Sequence, residues 1–205
     1  MTKTSGAKAP TARERLLAAA DELFYAEGVQ SVGIDRIIER AGVAKASLYN
    51  TFGGKEELIR AYLDSRNGRL SGRLQRAVEG TDDPRERLLA VFDAQAALYA
   101  QPGYHGCAFL AASAEAKQGS AIEEASDASR AWVRALFTDL AREAGAPDPE
   151  NLARQLHLLY DGGGVSARMD RDPSAGLVAR QAAAVLIDAT LPRRPADPAS
   201  GEPAS

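Results

Sequence analysis

A single cysteine and two histidines stand in 205 residues, and no apolar run reaches 18. Each shortage excludes something. One thiol, Cys107, cannot form an intrachain disulfide, which suits a reducing compartment. His105 lies beside Cys107, but two ligands fall short of the three or four that a metal site needs, so no metal and no cofactor is expected. Two histidines are also few for acid–base chemistry. Gly-rich phosphate loops and Ser/His/Asp spacings are missing too, so nothing points to an enzyme. The lack of a long apolar run argues against a transmembrane helix. The opening MTKTSGAKAP is polar and has no apolar h-region, so it does not read as a secretory signal. A cytoplasmic protein without a membrane partner is the expectation. A strong positive charge is also missing: the net charge of −3 argues against a chain that coats nucleic acid indiscriminately. That charge is uneven, however. Residues 1–60 carry nine basic against eight acidic side chains, and the remainder sixteen against twenty, which leaves room for a local nucleic-acid contact in the first part.

What the chain does have is helical periodicity. Leu16, Leu17, Ala20, Leu23 and Phe24 recur at three- to four-residue spacing, with Thr11 and Glu14 placed as a capping box and Gly28 as the stop. A helix of about two turns follows from Ile34, with Gly33 as its cap and Gly42 beyond its end. A third short helix runs over 45–51 until Gly53 and Gly54 break it. A long helix then opens at Lys55 and runs to Val78. Further helices are read at 84–100, 106–117, 122–144, 150–169 and 173–191. No period-2 pattern appears, so the fold class is all-α, with about nine helices. Residues 1–10 and the Pro/Ala/Ser-rich 192–205 read as disordered tails. Residues 11–60 form one domain and 61–191 a second.

The stretch AGVAKASLYNTFGGKEEL, residues 41–58, concentrates hydrogen-bonding groups between glycine-marked boundaries. Two short helices around a glycine turn form a helix-turn-helix, whose second helix enters the DNA major groove with its N-terminal residues at base edges. Ser47 and Asn50 can bond bases or phosphates. Tyr49 offers a hydroxyl and a ring, and Lys45 and Lys55 can neutralise phosphates. Leu48 reads as the buried anchor. Against this stands the plain alternative that a polar helix face is only solvated, as in many helical hairpins with no DNA partner.

The residues tip the balance. Ala41-Gly42-Val43, then Leu48-Tyr49-Asn50-Thr51-Phe52, then Lys55-Glu56-Glu57-Leu58 closely resemble the DNA-binding region of the TetR family of transcriptional regulators. The upstream LLAAADELFYAEGVQSVGIDRI resembles that family's first helix, and the likeness covers about residues 12–63. The resemblance implies an all-α homodimer. Three small N-terminal helices would bind a double-stranded operator. A C-terminal domain would take a small-molecule effector and pair through its last two long helices. Effector binding would shift the spacing of the two heads and release the DNA. It places Lys45, Ser47, Tyr49, Asn50 and Thr51 on the recognition surface and Lys55 at a phosphate. Gly33 falls where the family often has Thr or Ser, and so brings no hydroxyl. Ala44 replaces a frequent Ser, Ile38 a small residue, and Asn50 and Thr51 frequent aromatic and His residues.

The C-terminal part speaks less clearly. Phe92, Tyr104, Cys107, Phe109, Trp132, His157 and Tyr160 are the candidates to line an effector pocket, each with plain core as the alternative. Cys107 at a helix start can be reactive or simply buried. Arg66, Arg69, Arg73 and Arg76 form a stripe that reads as a solvated face, with a phosphate contact or a salt-bridged domain seam as the alternatives. Leu152, Leu156, Leu159, Gly163, Val178, Ala182 and Val185 are the expected dimer interface, with the run Gly162-Gly163-Gly164 as a close crossing, a kink or a loop. The expected function is a ligand-responsive DNA-binding regulator, a repressor released from a palindromic operator. The alternatives are a cysteine-based redox regulator on the same fold and a helical interaction protein without DNA binding.

Overall fold

The computed structural model describes residues 9–192. The expected tails, 1–10 and 192–205, fall almost wholly outside them. The described residues form nine helices: α1 Ala12–Glu27, α2 Ile34–Ala41, α3 Lys45–Phe52, α4 Lys55–Val78, α5 Pro84–Tyr99, α6 Ala108–Glu115, α7 Ala121–Glu143, α8 Pro149–Met169 and α9 Ala175–Thr190. Local chemistry sets the boundaries. Thr11 and Glu14 complete a capping box on α1. Asp83, Ser120 and Asp148 accept backbone N–H groups at the starts of α5, α7 and α8. The sixth helix is shorter than its sequence pattern suggests. Gly106 takes φ +99° and Cys107 an extended conformation, so the helix opens only at Ala108.

Two cores result. In one, Leu16, Phe24, Ile37, Leu48, Leu58 and Tyr62 join α1–α4, with Ala112 and Ile122 added from α6 and α7. In the other, Leu74, Leu88, Phe92, Phe137, Leu156 and Ile187 join α4, α5, α7, α8 and α9. The helix α4 belongs to both: Leu58 to Leu63 pack into the first and Leu74 and Val78 into the second. Between these ends lies the arginine stripe, and two of its members form a seam. Arg66 Nε and Arg69 Nη2 both bond Asp21 of α1, at 2.7 and 2.5 Å. The Arg66 guanidinium also lies 3.7 Å from the centre of the Tyr25 ring.

Small residues close the second core. The helix α8 is continuous through Gly162-Gly163-Gly164, so the run makes no loop. A Cβ on Gly163 would lie 3.1 Å from the Ala179 methyl of α9, and one on Gly164 3.2 Å from the Tyr99 hydroxyl of α5. Gly162 points the other way, into open space. Burial divides the residues expected at the pairing face. Leu152, Leu156 and Gly163 face the protomer's own core and Leu159 packs against it, because α7 and α9 cover that side of α8. The uncovered side carries Leu158, Val165 and Met169, and on α9 Leu177, Val178 and Val185. Ala182 is half-buried between the two faces.

Gly176 is the tightest of these contacts. A Cβ there would sit 2.6 Å from the Ala96 backbone Cα, which cannot swing aside as a side chain can. Gly176→Ala is therefore expected to destabilise the protein by about 1–3 kcal/mol, whereas Gly162→Ala leaves the protomer's packing intact. Urea unfolding midpoints of the two variants check this.

Candidate nucleic-acid interface

The α2–turn–α3 unit is built from one buried residue per turn. Ile37 and Ala41 of α2 and Leu48 of α3 are buried, and Ile38 packs alongside. Gly42 ends α2 in the left-handed conformation, φ +61° and ψ +45°, with its N–H on the Ile38 and Glu39 carbonyls. Arg15 of α1 bonds the Gly42 carbonyl at 3.2 Å. Paired hydrogen bonds from Arg36 to Glu27 and from Arg40 to Glu22 tie α2 to α1. Those two guanidiniums are thereby committed to holding the unit together.

Leu48 is turned inward and Phe52 packs beside the same core, and the polar residues of α3 face out. Lys45 and Asn50 are exposed, Tyr49 is 46% exposed and Ser47 half-buried. Lys45 Nζ bonds Asp35 at 3.0 Å, which raises its pKa, but both side chains stay in water. Thr51 donates its hydroxyl proton to the Ser47 carbonyl at 2.6 Å, so only its lone pairs face outward. Gly33 caps α2 in an extended conformation with open space around it. Lys55, at the start of α4, is half-buried and bonds the Gln30 carbonyl at 3.1 Å. Burial lowers its pKa and nearby Glu115 opposes that.

The expected effector residues do not all meet. Phe92 is fully buried against Phe137, ring centres 5.6 Å apart, and is plain core. Phe109 packs on the first core, away from the others, and Trp132 lies on the flank of the second. Tyr104, Tyr160, His157 and Cys107 do gather, around two residues that the sequence reading missed, Gln95 and Tyr99. The Tyr99 and Tyr104 rings are 4.9 Å apart, and Tyr104 donates to the Gly164 carbonyl at 3.3 Å. Gln95 Nε2 donates to the Tyr160 carbonyl at 3.0 Å. Gln95 Oε1, the Tyr99 hydroxyl and Arg73 Nε are buried with no protein partner. A Gln and a Tyr following Leu88 and Phe92 on the apolar stripe of α5 were the available signal. Two clefts border this region. One of about 150 Å³ separates α1 from α6 and includes Tyr25, Cys107 and Glu115. One of about 200 Å³ lies beside Tyr99, Tyr104, Arg168 and Arg171.

Two titratable groups are shifted by their surroundings. Cys107 is the N-cap of α6, and the Phe109 and Leu110 amides lower its pKa as a helix start should. The residue reaches the surface, yet desolvation by the protein around it outweighs the amides and pushes the thiol up, away from a reactive thiolate. Among the described residues, no three His, Cys, Asp or Glu side chains gather where they could hold a metal ion. His157 is buried, with Asp161 at 3.7 Å, and Asp161 is itself bonded to Arg130 at 2.7 Å. Burial lowers the His157 pKa, Asp161 opposes, and Arg130 and Arg134 add to the lowering. The folded state thus holds a neutral imidazole, while the unfolded chain takes up a proton near its ordinary value of 6.5. Stability should be full above that pH and fall as pH drops through and below it. Unfolding midpoints across this range should decline less steeply in His157→Gln.

Comparison with known proteins agrees with this geometry. The pattern of the bacterial regulatory proteins of the tetR family matches residues 16–62, which span α1 to the first part of α4. The transcriptional activator FasR of Mycolicibacterium smegmatis is 40% identical over 82 residues, 40% of this chain and 37% of its own. TtgR, a transcriptional regulator of Pseudomonas putida, is 33% identical over 129 residues, 58% of this chain and 61% of its own. The chain therefore spans less than two thirds of these curated relatives. The solved structure of SCO4454, a TetR-family transcriptional regulator from Streptomyces coelicolor, is 33% identical, covers 87% of this chain and 95% of its own, and superimposes with a TM-score of 0.84. A helix-turn-helix head carried on two shared cores, and a relative matched over nearly its whole length, lead to one conclusion: the chain belongs to the TetR family of transcriptional regulators.

Proposed function

We propose that the protein acts in the cytoplasm as a homodimeric repressor that binds a palindromic operator and leaves it when a small molecule binds. The outward face of α3 carries this reading. A helix held by the single buried Leu48, presenting Lys45, Tyr49 and Asn50 to water, is shaped to enter a major groove. Ser47 and the acceptor side of Thr51 border the same face, Lys55 is set to meet a phosphate, and Gly33 leaves space for the backbone to approach one.

The pairing surface is the uncovered side of α8 and α9. Leu158, Val165 and Met169 recur at seven- and four-residue intervals, and Val178, Ala182 and Val185 at four and three. Gly162, exposed between Leu158 and Val165, lets a second backbone come close. Such an apolar strip on an otherwise polar surface marks an interface, and one patch meeting its own copy gives a closed dimer. The effector reading rests on Gln95, Tyr99 and Arg73. Burying a polar atom unpaired costs about 1–3 kcal/mol each, and a ligand that supplies the missing partners recovers it. The raised Cys107 thiol favours such a ligand over a redox trigger.

Titration of the purified protein against its upstream intergenic DNA, with random duplex as competitor and at two salt concentrations, tests the reading. Specific binding that weakens as salt rises is expected. Lys55→Ala should reduce the salt slope by about 1, and Tyr49→Ala should weaken binding roughly tenfold or more without disturbing the dimer. Binding no tighter than to random duplex would leave the helical interaction protein as the better account. Sedimentation of Leu158→Glu/Val185→Glu should show a folded monomer with its operator affinity lost; a dimer that persists would place the interface elsewhere.

A further inference from the structure

The loop between α1 and α2 is held from two sides through one residue, Gln30. Its N–H donates to Glu115 Oε2, at the end of α6, at 2.7 Å. Its carbonyl accepts from Lys55 Nζ, at the start of α4, at 3.1 Å. Gly28 makes room for this arrangement. It ends α1 at φ +92°, where side chains are strained, and a Cβ there would lie 2.6 Å from Glu115 Oε1. The other end of the same segment is also fastened. Tyr25 donates its hydroxyl proton to the Gly106 carbonyl at 3.0 Å and accepts the His105 N–H at 3.1 Å. Arg168 of α8 bonds the His105 carbonyl. Residues 105–115 thus join α8 to the loop that carries Gln30.

We propose that Glu115 is a positioning residue for DNA binding: through the backbone on either side of the Gln30 Cα it fixes where Lys55 presents its ammonium, so that the placement of α6 sets the strength of a phosphate contact. The inference rests on Lys55 meeting a phosphate, as read above. It requires nothing to move far. A donor–acceptor distance of 2.7 Å passes the useful limit once α6 withdraws by about 1 Å. Lys55 would then lose its fixed acceptor geometry while keeping its charge. The carboxylate does not touch the DNA-facing surface of α3, so its effect should reach the operator only through Gln30 and Lys55.

Glu115→Gln and Glu115→Ala remove the same charge, but only glutamine keeps an acceptor for the Gln30 N–H. Each is made with Lys55 intact and with Lys55→Ala, and affinity for the duplex recovered in the titration above is read by fluorescence anisotropy. With Lys55 present, Glu115→Ala should bind roughly three- to tenfold more weakly than Glu115→Gln, and the gap should close in the Lys55→Ala background. Hydrogen exchange of the 28–33 segment, without DNA, should be slow in wild type and Glu115→Gln and fast in Glu115→Ala. Equal affinities, or a gap that survives the loss of Lys55, would overturn the inference while the wild type still binds. A wild type that binds no duplex specifically would overturn the function reading, and this inference with it.

Discussion

The arrangement of head and body depends on how Asp21 meets α4. One carboxylate takes both Arg66 and Arg69, and the Arg66 guanidinium lies over the Tyr25 ring, whose hydroxyl donates to the Gly106 carbonyl and accepts the His105 N–H. The Arg66 and Asp21 side chains are only 21% and 23% exposed, so salt screens the pair less than a surface ion pair. Nonpolar packing alone would let α1 slide along α4. A planar cation with directional donors fixes both the distance and the rotation.

Much of the fold was legible in the sequence because its signals are local. The capping box at Thr11 and Glu14, the glycine stops at Gly28 and Gly42, and the inward Leu48 depend on a few neighbouring residues. The outward face of α3 was legible for the same reason: Leu48 is the one apolar residue near the middle of a short, mostly polar helix. The exposed apolar strip was legible only in part: Val178, Ala182 and Val185 were expected on it, and Leu158, Val165 and Met169 were not. Leu152 and Leu156 form as regular a stripe as Leu158 and Met169, and periodicity cannot tell which stripe the chain covers with its own α7 and α9. The effector candidates come together only in part for the same reason. Phe92 and Tyr99 are both aromatics on the inner face of α5, and only the packing makes one of them core and the other a neighbour of unpaired polar atoms. The Glu115–Gln30 contact spans 85 positions and has no local signature.

The two cores do different physical work. The first is closed by Leu, Ile and Phe, and two of its helices, α2 and α3, are too short to persist alone, so they depend on α1 and α4. The second packs longer helices but interrupts its apolar lining with Gln95, Tyr99 and His157. A core built for stability alone would have aliphatic groups there. The unpaired polar atoms raise the free energy of the folded protein.

Val178 and Val185 lie on helices of the second core, whereas Tyr49 and Lys55 belong to the first. If the strip on α8 and α9 joins two copies as proposed, damage to the head leaves pairing untouched. A cell that makes intact and head-damaged chains together would then assemble mixed dimers with one working head, each unable to span both half-sites of a palindrome. With equal amounts of the two chains, only about a quarter of random dimers would be whole. Loss-of-contact alleles in the recognition helix would therefore be genetically dominant. Alleles that disrupt the strip would be recessive, because a chain that cannot pair cannot interfere.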